Sequence, residues 1–174
     1  AVRTGSDSNW IQRRRIRDRV AAIRTRIMYN KTYYATDPQC IEEASNENLR
    51  ARYLIEDLFE DGEVRLNYLH YERFVIGGAS PVEAPLSLPV QVEPASAKDK
   101  PFLERREIGI INVGRSSGRV TVDGEAFELR PKDGLYVPMG SEKVTMESVE
   151  TGTPTRFYLA STPAHALSLI HISD

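Results

Sequence analysis

Four consecutive charged residues, Glu104, Arg105, Arg106 and Glu107, stand directly before an apolar, β-branched segment. A guanidinium group can hold a carboxylate through two parallel hydrogen bonds, so Arg105 or Arg106 is a candidate for binding an acidic ligand. The alternative is an ion-pair cluster at a strand entrance, or a contact between domains or subunits. Alternation along a strand would place Arg105 with Glu107 on one face and Glu104 with Arg106 on the other, giving each face a compensated pair.

Residues that could bind a metal are scarce, because the chain has only three histidines, His70, His165 and His171. A zinc site needs three or four His, Cys, Asp or Glu ligands, and a catalytic site leaves one position open. None of these histidines forms a His-x-His pair. We therefore predict no metal site and no catalytic residue in this chain, with structural or solvated roles for His70 and His165. Phosphate-binding loops and dinucleotide fingerprints are also absent from the sequence.

A β-hairpin is the clearest structural prediction. Residues 119–122 and 125–129 alternate between apolar and polar types, and Asp123-Gly124 between them suits a type I′ turn. Fixing the register at that turn places Val120 opposite Phe127 and Arg119 opposite Glu128, where the two charges could pair. The hairpin would then have one apolar face and one polar face.

Short strands separated by turn signals fill most of the remaining chain. Asp37 and Pro38 are predicted to open a short helix, and a second one to cover residues 46–54. Gly77 and Gly78 are predicted to end a strand where two backbones come close, the alternative being that they line a ligand cavity. Further strands are expected at 64–68, 74–76, 108–113, 135–137, 143–148 and 155–161, with a weak one near 86–92. The fold class is therefore mainly β, an antiparallel barrel or sandwich with short N-terminal helices.

Charge and composition indicate which kinds of binding partner and which location to expect. Residues 1–27 carry eight arginines against two aspartates, and this charge of +6 leaves −8 for the rest of a chain whose total is −2. An acidic body argues against nucleic acid as the partner. The single cysteine, Cys40, excludes an internal disulfide framework and favours a cytoplasmic location. No apolar run approaches the roughly 20 residues that span a bilayer, so no membrane association is expected.

Three segments are expected along the chain. Residues 1–27 are interpreted as upstream or non-native sequence before a start at Met28, the alternative being a basic nucleic-acid arm. Residues 28–166 form the predicted domain. Residues 167–174 resemble the translated end of a transposon adapter used in DNA library preparation, and we exclude them from the fold prediction.

Several collinear motifs carry a family resemblance. They are residues 102–114 with their Phe-Leu-Glu-Arg-Arg-Glu start, 121–124, 135–137, 151–154, 157–158 and 163–165. Together they resemble 5-keto-4-deoxyuronate isomerase, also called 4-deoxy-L-threo-5-hexosulose-uronate ketol-isomerase, in its N-terminal half. Residues 133–140 are in addition similar to the second signature of the cupin barrels, although Lys143 stands where a histidine ligand is expected.

The resemblance implies a cupin-like domain, the N-terminal half of a bicupin. It implies an isomerase that interconverts 5-dehydro-4-deoxy-D-glucuronate and 3-deoxy-D-glycero-2,5-hexodiulosonate in pectin and uronate catabolism. The acidic ligand that Arg105 or Arg106 could bind would then be a uronate carboxylate, with the ion-pair cluster or protein contact as the alternative. Zinc would be held by the missing C-terminal half, the family assembly would be a homo-hexamer, and this fragment would be inactive alone. The alternatives are a metal-free cupin acting as a carbohydrate-binding or oligomerisation module, and the 5-deoxyglucuronate isomerase of inositol catabolism.

Overall fold

The computed structural model describes residues 28–92, 95–150 and 152–164, which form two β-sheets around one core. The strands are β1 (Lys31–Tyr33), β2 (Val64–Leu69), β3 (Val75–Ala79), β4 (Leu86–Ser87), β5 (Arg106–Asn112), β6 (Gly118–Val122), β7 (Glu125–Leu129), β8 (Gly134–Val137), β9 (Val144–Ser148) and β10 (Phe157–Pro163). The six-stranded sheet has the order β1-β2-β3-β10-β5-β8, and the four-stranded sheet has the order β4-β9-β6-β7.

The strand pairs are antiparallel except for β1 and β2, which run parallel. Buried side chains from both sheets form one apolar cluster, in which Phe157 and Ile110 of the larger sheet join Val120 and Met146 of the smaller. Burial of this shared apolar surface holds the two sheets together. The predicted mainly β, antiparallel sandwich is confirmed, and the weak strand near residues 86–92 is the two-residue edge strand β4.

The predicted hairpin is β6 and β7, and its register is confirmed. Asp123 and Gly124 both have positive φ, 49° and 96°, as a type I′ turn requires. The predicted ion-pair partner of Arg119 was wrong, because Arg119 Nη1 lies 2.7 Å from Glu147 Oε1. Strand β6 has a neighbour on each side, so Arg119 stands opposite both Glu128 and Glu147, and its side chain turns toward β9.

The two short helices are confirmed, and so is the predicted cap at Asp37. Asp37 accepts a hydrogen bond from the backbone N–H of Gln39 (2.9 Å) at the start of a 3₁₀ turn, Pro38–Cys40. Helix α1 (Asn46–Tyr53) begins after Ser45, whose hydroxyl accepts from a first-turn backbone N–H. Within the described part of the chain, no helix is long and apolar enough to cross a membrane.

Gly77 and Gly78 lie inside β3, so the prediction that they end the strand was wrong. The predicted close approach of backbones is confirmed, because a Cβ at Gly78 would lie 2.4 Å from the carbonyl oxygen of Leu58 and 2.8 Å from the Phe59 ring. The segment before β2 therefore packs directly on the outer face of β3, where any side chain would displace it.

Replacing Gly78 by alanine is expected to lower the free energy of unfolding by about 1–3 kcal/mol, since the added methyl overpacks this contact. Gly109→Ala is the matched control in the same sheet, because its Cβ would meet only the Ala160 carbonyl oxygen, at 3.8 Å. That variant should be neutral or slightly more stable, as an alanine is less costly to order than a glycine. Urea denaturation of both variants measures the difference, and equal effects would contradict the proposed contact.

Candidate functional site

The charged cluster at residues 104–107 is divided between a turn and a strand. Glu104 and Arg105 lie in the turn before β5, and only Arg106 and Glu107 belong to the strand. The predicted compensated pairs were therefore wrong. Glu104 pairs with Lys100, with Oε1 and Nζ 2.9 Å apart. Glu107 accepts a hydrogen bond from the Tyr136 hydroxyl, which raises the pKa of Tyr136. Alternation applies only within a strand, and this strand begins later than the cluster does.

Arg106 is buried at the first position of β5. Its Nε donates to the Ser161 hydroxyl (3.1 Å), and its Nη2 donates to the carbonyl oxygens of Ser161 (2.9 Å) and Arg73 (2.7 Å). The guanidinium carbon also lies 5.9 Å from the centre of the Phe102 ring. These contacts fix the guanidinium between β5, β10 and the turn that joins β2 to β3.

Two tyrosines and a second arginine lie near enough to Arg106 to affect its pKa. Burial lowers the pKa of Arg106, the nearby Tyr29 and Tyr68 raise it, and Arg73 lowers it. Burial raises the pKa of Tyr29, an effect that Arg106 opposes and Tyr68 reinforces. The Tyr29 and Tyr68 rings lie 5.2 Å apart. Among the ion pairs within the described residues none includes Arg106, so this end of the sandwich holds a positive charge with neutral partners.

Arg105 has a different environment from its neighbour. Its side chain is exposed at a cavity of about 210 Å³, together with Gln91, Lys100 and Glu104. Its backbone oxygen accepts from the N–H of Ala164 (3.0 Å). The structure therefore does not bring Arg105 and Arg106 to one surface, and a role in substrate binding stays a prediction for each of them.

Of the three histidines, His70 is the one that lies in the part of the chain that the structure describes. His70 is exposed, stacks on Tyr34 with ring centres 4.8 Å apart, and meets the Tyr68 ring edge to face at 5.1 Å. His165 and His171 lie outside the described residues. Within residues 28–92, 95–150 and 152–164, no group of three or more His, Cys, Asp or Glu side chains could hold a metal ion. This donor set does not fit a zinc centre.

A larger cavity, about 570 Å³ and open to solvent, was missed by the sequence analysis. It lies between α1 with the residues that follow it and the outer face of β1 and β2. Its charged lining residues are Lys31, Glu47, Arg50, Glu56, Asp57 and Arg65. Arg50 pairs with Glu56, and Arg65 with Glu60, so the charges are largely compensated. No local sequence signal could have found it, because it depends on where α1 packs.

Comparison with known proteins supports the family resemblance. No family model matches the chain. Over 132 residues it is 45% identical to a 4-deoxy-L-threo-5-hexosulose-uronate ketol-isomerase of Formosa agariphila and 41% identical to one of Oceanobacillus iheyensis, each covering 76% of this chain. A third, of Rhizobium meliloti, is 44% identical over 140 residues, or 80% of this chain. The predicted resemblance to the uronate ketol-isomerases is confirmed. The chain spans 46–48% of the length of these three ketol-isomerases.

Two solved cupin structures are similar to this chain at low sequence identity. The match to a cupin domain of Schizosaccharomyces pombe covers 60% of this chain and 64% of that domain's chain, with a TM-score of 0.42 and 15% identity. A cupin barrel protein of Salinispora arenicola covers 62% and 82%, with a TM-score of 0.41 and 17% identity. The predicted antiparallel sandwich with short helices is confirmed by the strand order and pairing described above.

Proposed function

We propose that this chain is half of a ketol-isomerase that interconverts 5-dehydro-4-deoxy-D-glucuronate and 3-deoxy-D-glycero-2,5-hexodiulosonate in pectin and uronate catabolism. The observation that carries the proposal is the identity of 41–45% to proteins named for this activity, over three quarters of the chain or more. An aldose–ketose interconversion moves a proton between neighbouring carbons through an enediol or enediolate, which requires a positioned acid or base. Zinc, as the resemblance implies, is assigned to the half that this chain does not span.

The proposed contribution of this chain is a rigid scaffold and an assembly surface. The outer face of β5 and β8 leaves Ile111 and Tyr136 exposed, at 41% and 53% of their surface. Exposed apolar side chains that neighbour one another favour a protein contact. The proposed assembly is a homo-oligomer, a hexamer in the family, acting in the cytoplasm on a small-molecule uronate and not on nucleic acid or a membrane.

The test compares the complete protein with this chain. The gene carrying the downstream reading frame is expressed, and turnover of 5-dehydro-4-deoxy-D-glucuronate is followed by NMR. We expect turnover by the complete protein and none by this chain alone. If the complete protein isomerises only 5-deoxy-D-glucuronate, the inositol-catabolism alternative replaces the proposal. Turnover together with stoichiometric zinc in this chain alone would contradict the assignment of the metal to the other half.

A second candidate is a metal-free cupin that binds carbohydrate or mediates oligomerisation. The observation that favours it is the open, polar cavity of about 570 Å³ beside α1, which is large enough for a sugar. A stop codon soon after this segment in the gene, with sugar binding but no turnover by the purified chain, would support this candidate. A downstream His-x-His pattern followed by Glu and His would favour the isomerase instead.

A further inference from the structure

Arg106 carries a buried positive charge that no carboxylate of the described residues compensates. Its partners are one hydroxyl, two carbonyl oxygens and an aromatic face, all of which are neutral. An arginine stays protonated in proteins, so the charge cannot be relieved by losing a proton. Buried charges are normally paired, because their desolvation is costly. The nearby Arg73 makes the potential still more positive.

One nitrogen of the guanidinium, Nη1, has donors that are not used by the described residues. Arginine has five N–H donors, and Arg106 uses Nε once and Nη2 twice. The two Nη1 donors make no hydrogen bond with a described residue. In the described part of the chain, the buried side-chain polar atom without a hydrogen-bond partner is Arg65 Nε, and Arg106 Nη1 is not in that class. The Nη1 donors are therefore the ones left for an incoming group.

Tyr29 and Tyr68 complete the environment of this side chain. Both lie near enough to Arg106 to raise its pKa, and their rings contact each other. Because burial raises the pKa of Tyr29, its phenol keeps its proton at neutral pH. Tyr29 is thus a possible hydrogen-bond donor to a ligand and not a counter-ion for Arg106.

We propose that Arg106, held by Ser161 and Arg73 and flanked by Tyr29 and Tyr68, binds the carboxylate of a sugar acid through Nη1. The need for an anion follows from the uncompensated charge, whereas the choice of a sugar acid rests on the proposed function. Three fixed hydrogen bonds orient the guanidinium before the ligand arrives, so little side-chain entropy is lost on binding. Arg105 is exposed beside Glu104, and no comparable set of hydrogen bonds to described residues orients its guanidinium.

The experiment titrates the 174-residue chain with D-glucuronate and with D-glucuronamide, which has the same sugar ring but no charge. We expect glucuronate to bind about tenfold more tightly or better, the scale of a charge-assisted hydrogen bond. Arg106→Gln should remove this preference, and Arg105→Gln, the matched control, should keep it. Acetate, tested alongside, should bind more weakly than glucuronate because it lacks the sugar.

Arg106→Gln also removes bonds between strands, so its folding is checked by circular dichroism. If it does not fold, comparing the two sugars on the unmutated chain still tests whether binding depends on the carboxylate charge. Equal affinity for glucuronate and glucuronamide would overturn the proposal, as would a preference that survives in folded Arg106→Gln. Acetate binding as tightly as glucuronate would overturn the sugar-acid assignment. Failure of the complete protein to isomerise the deoxyuronate would remove the proposed function without affecting these affinities.

Discussion

Replacing Asn112 by leucine is expected to lower the free energy of unfolding by about 3–6 kcal/mol, since three backbone groups lose their partner. Asn112 is fully buried at the end of β5. Its Nδ2 donates to the carbonyl oxygens of Ser116 and Leu129, both at 2.9 Å, and its Oδ1 accepts from the N–H of Gly114 at 2.9 Å. Leucine is similar in size, so the loss would come from hydrogen bonding and not from a cavity.

Asn67→Leu is the matched control for this variant. Asn67 is also buried, on β2, but within the described ranges its side chain makes a single long hydrogen bond, from Nδ2 to the Ile76 carbonyl oxygen at 3.4 Å. We expect a cost of about 1 kcal/mol or less, the net contribution of one ordinary hydrogen bond. Urea denaturation monitored by circular dichroism compares the two. Equal losses of stability in both variants would show that the three hydrogen bonds of Asn112 contribute less to the free energy of unfolding than expected.

Replacing Phe157 by alanine is expected to cost about 3–5 kcal/mol through lost apolar burial and the cavity left behind. Phe157 is fully buried at the start of β10, where that strand pairs with both β3 and β5. Its ring also lies against the backbone of β6, because a Cβ at Gly118 would be 2.3 Å from Phe157 Cζ. The ring therefore connects the two sheets at a point where β6 has no side chain.

A double-mutant cycle tests that connection. Gly118→Ala alone should cost about 1–3 kcal/mol, because the buried ring cannot move away from the added methyl. In a Phe157→Leu background the terminal ring atom is gone, so the same change should cost clearly less, leaving only the contact with Thr155 Cγ2 at 2.8 Å. Coupling between the two sites follows from their contact. Additive losses of stability would show that Gly118 and the ring do not compete for space.

The parts of the fold set by short-range chemistry could be predicted from the sequence. The Asp123-Gly124 turn needs two residues with positive φ, and the alternation on either side fixes the register. The cap at Asp37 likewise depends on neighbours in the chain. Each of these features is decided within a few residues, so a single sequence carries enough information for it.

Features that depend on a distant partner could not be predicted in the same way. Arg119 prefers Glu147 because β9 is the second neighbour of β6. Gly78 continues its strand because it pairs with Arg65 on one side and Tyr158 on the other. The same limit applies to the candidate site. The cluster at residues 104–107 identified Arg106 as a candidate, but the partners of Glu104 and Glu107 depend on where β5 begins.

The polar residues at the two ends of β5 have a consequence for strand alignment. Moving β5 by two positions along β10 would leave every side chain on its original face, so the apolar residues Ile108 and Ile110 would oppose the change only weakly. The same movement would put Arg106 in the core position that Ile108 now occupies and away from the Arg73 carbonyl oxygen. It would also take Asn112 away from its carbonyl partners. Arg106 and Asn112 therefore select one alignment of β5 from those that hydrophobicity alone would accept.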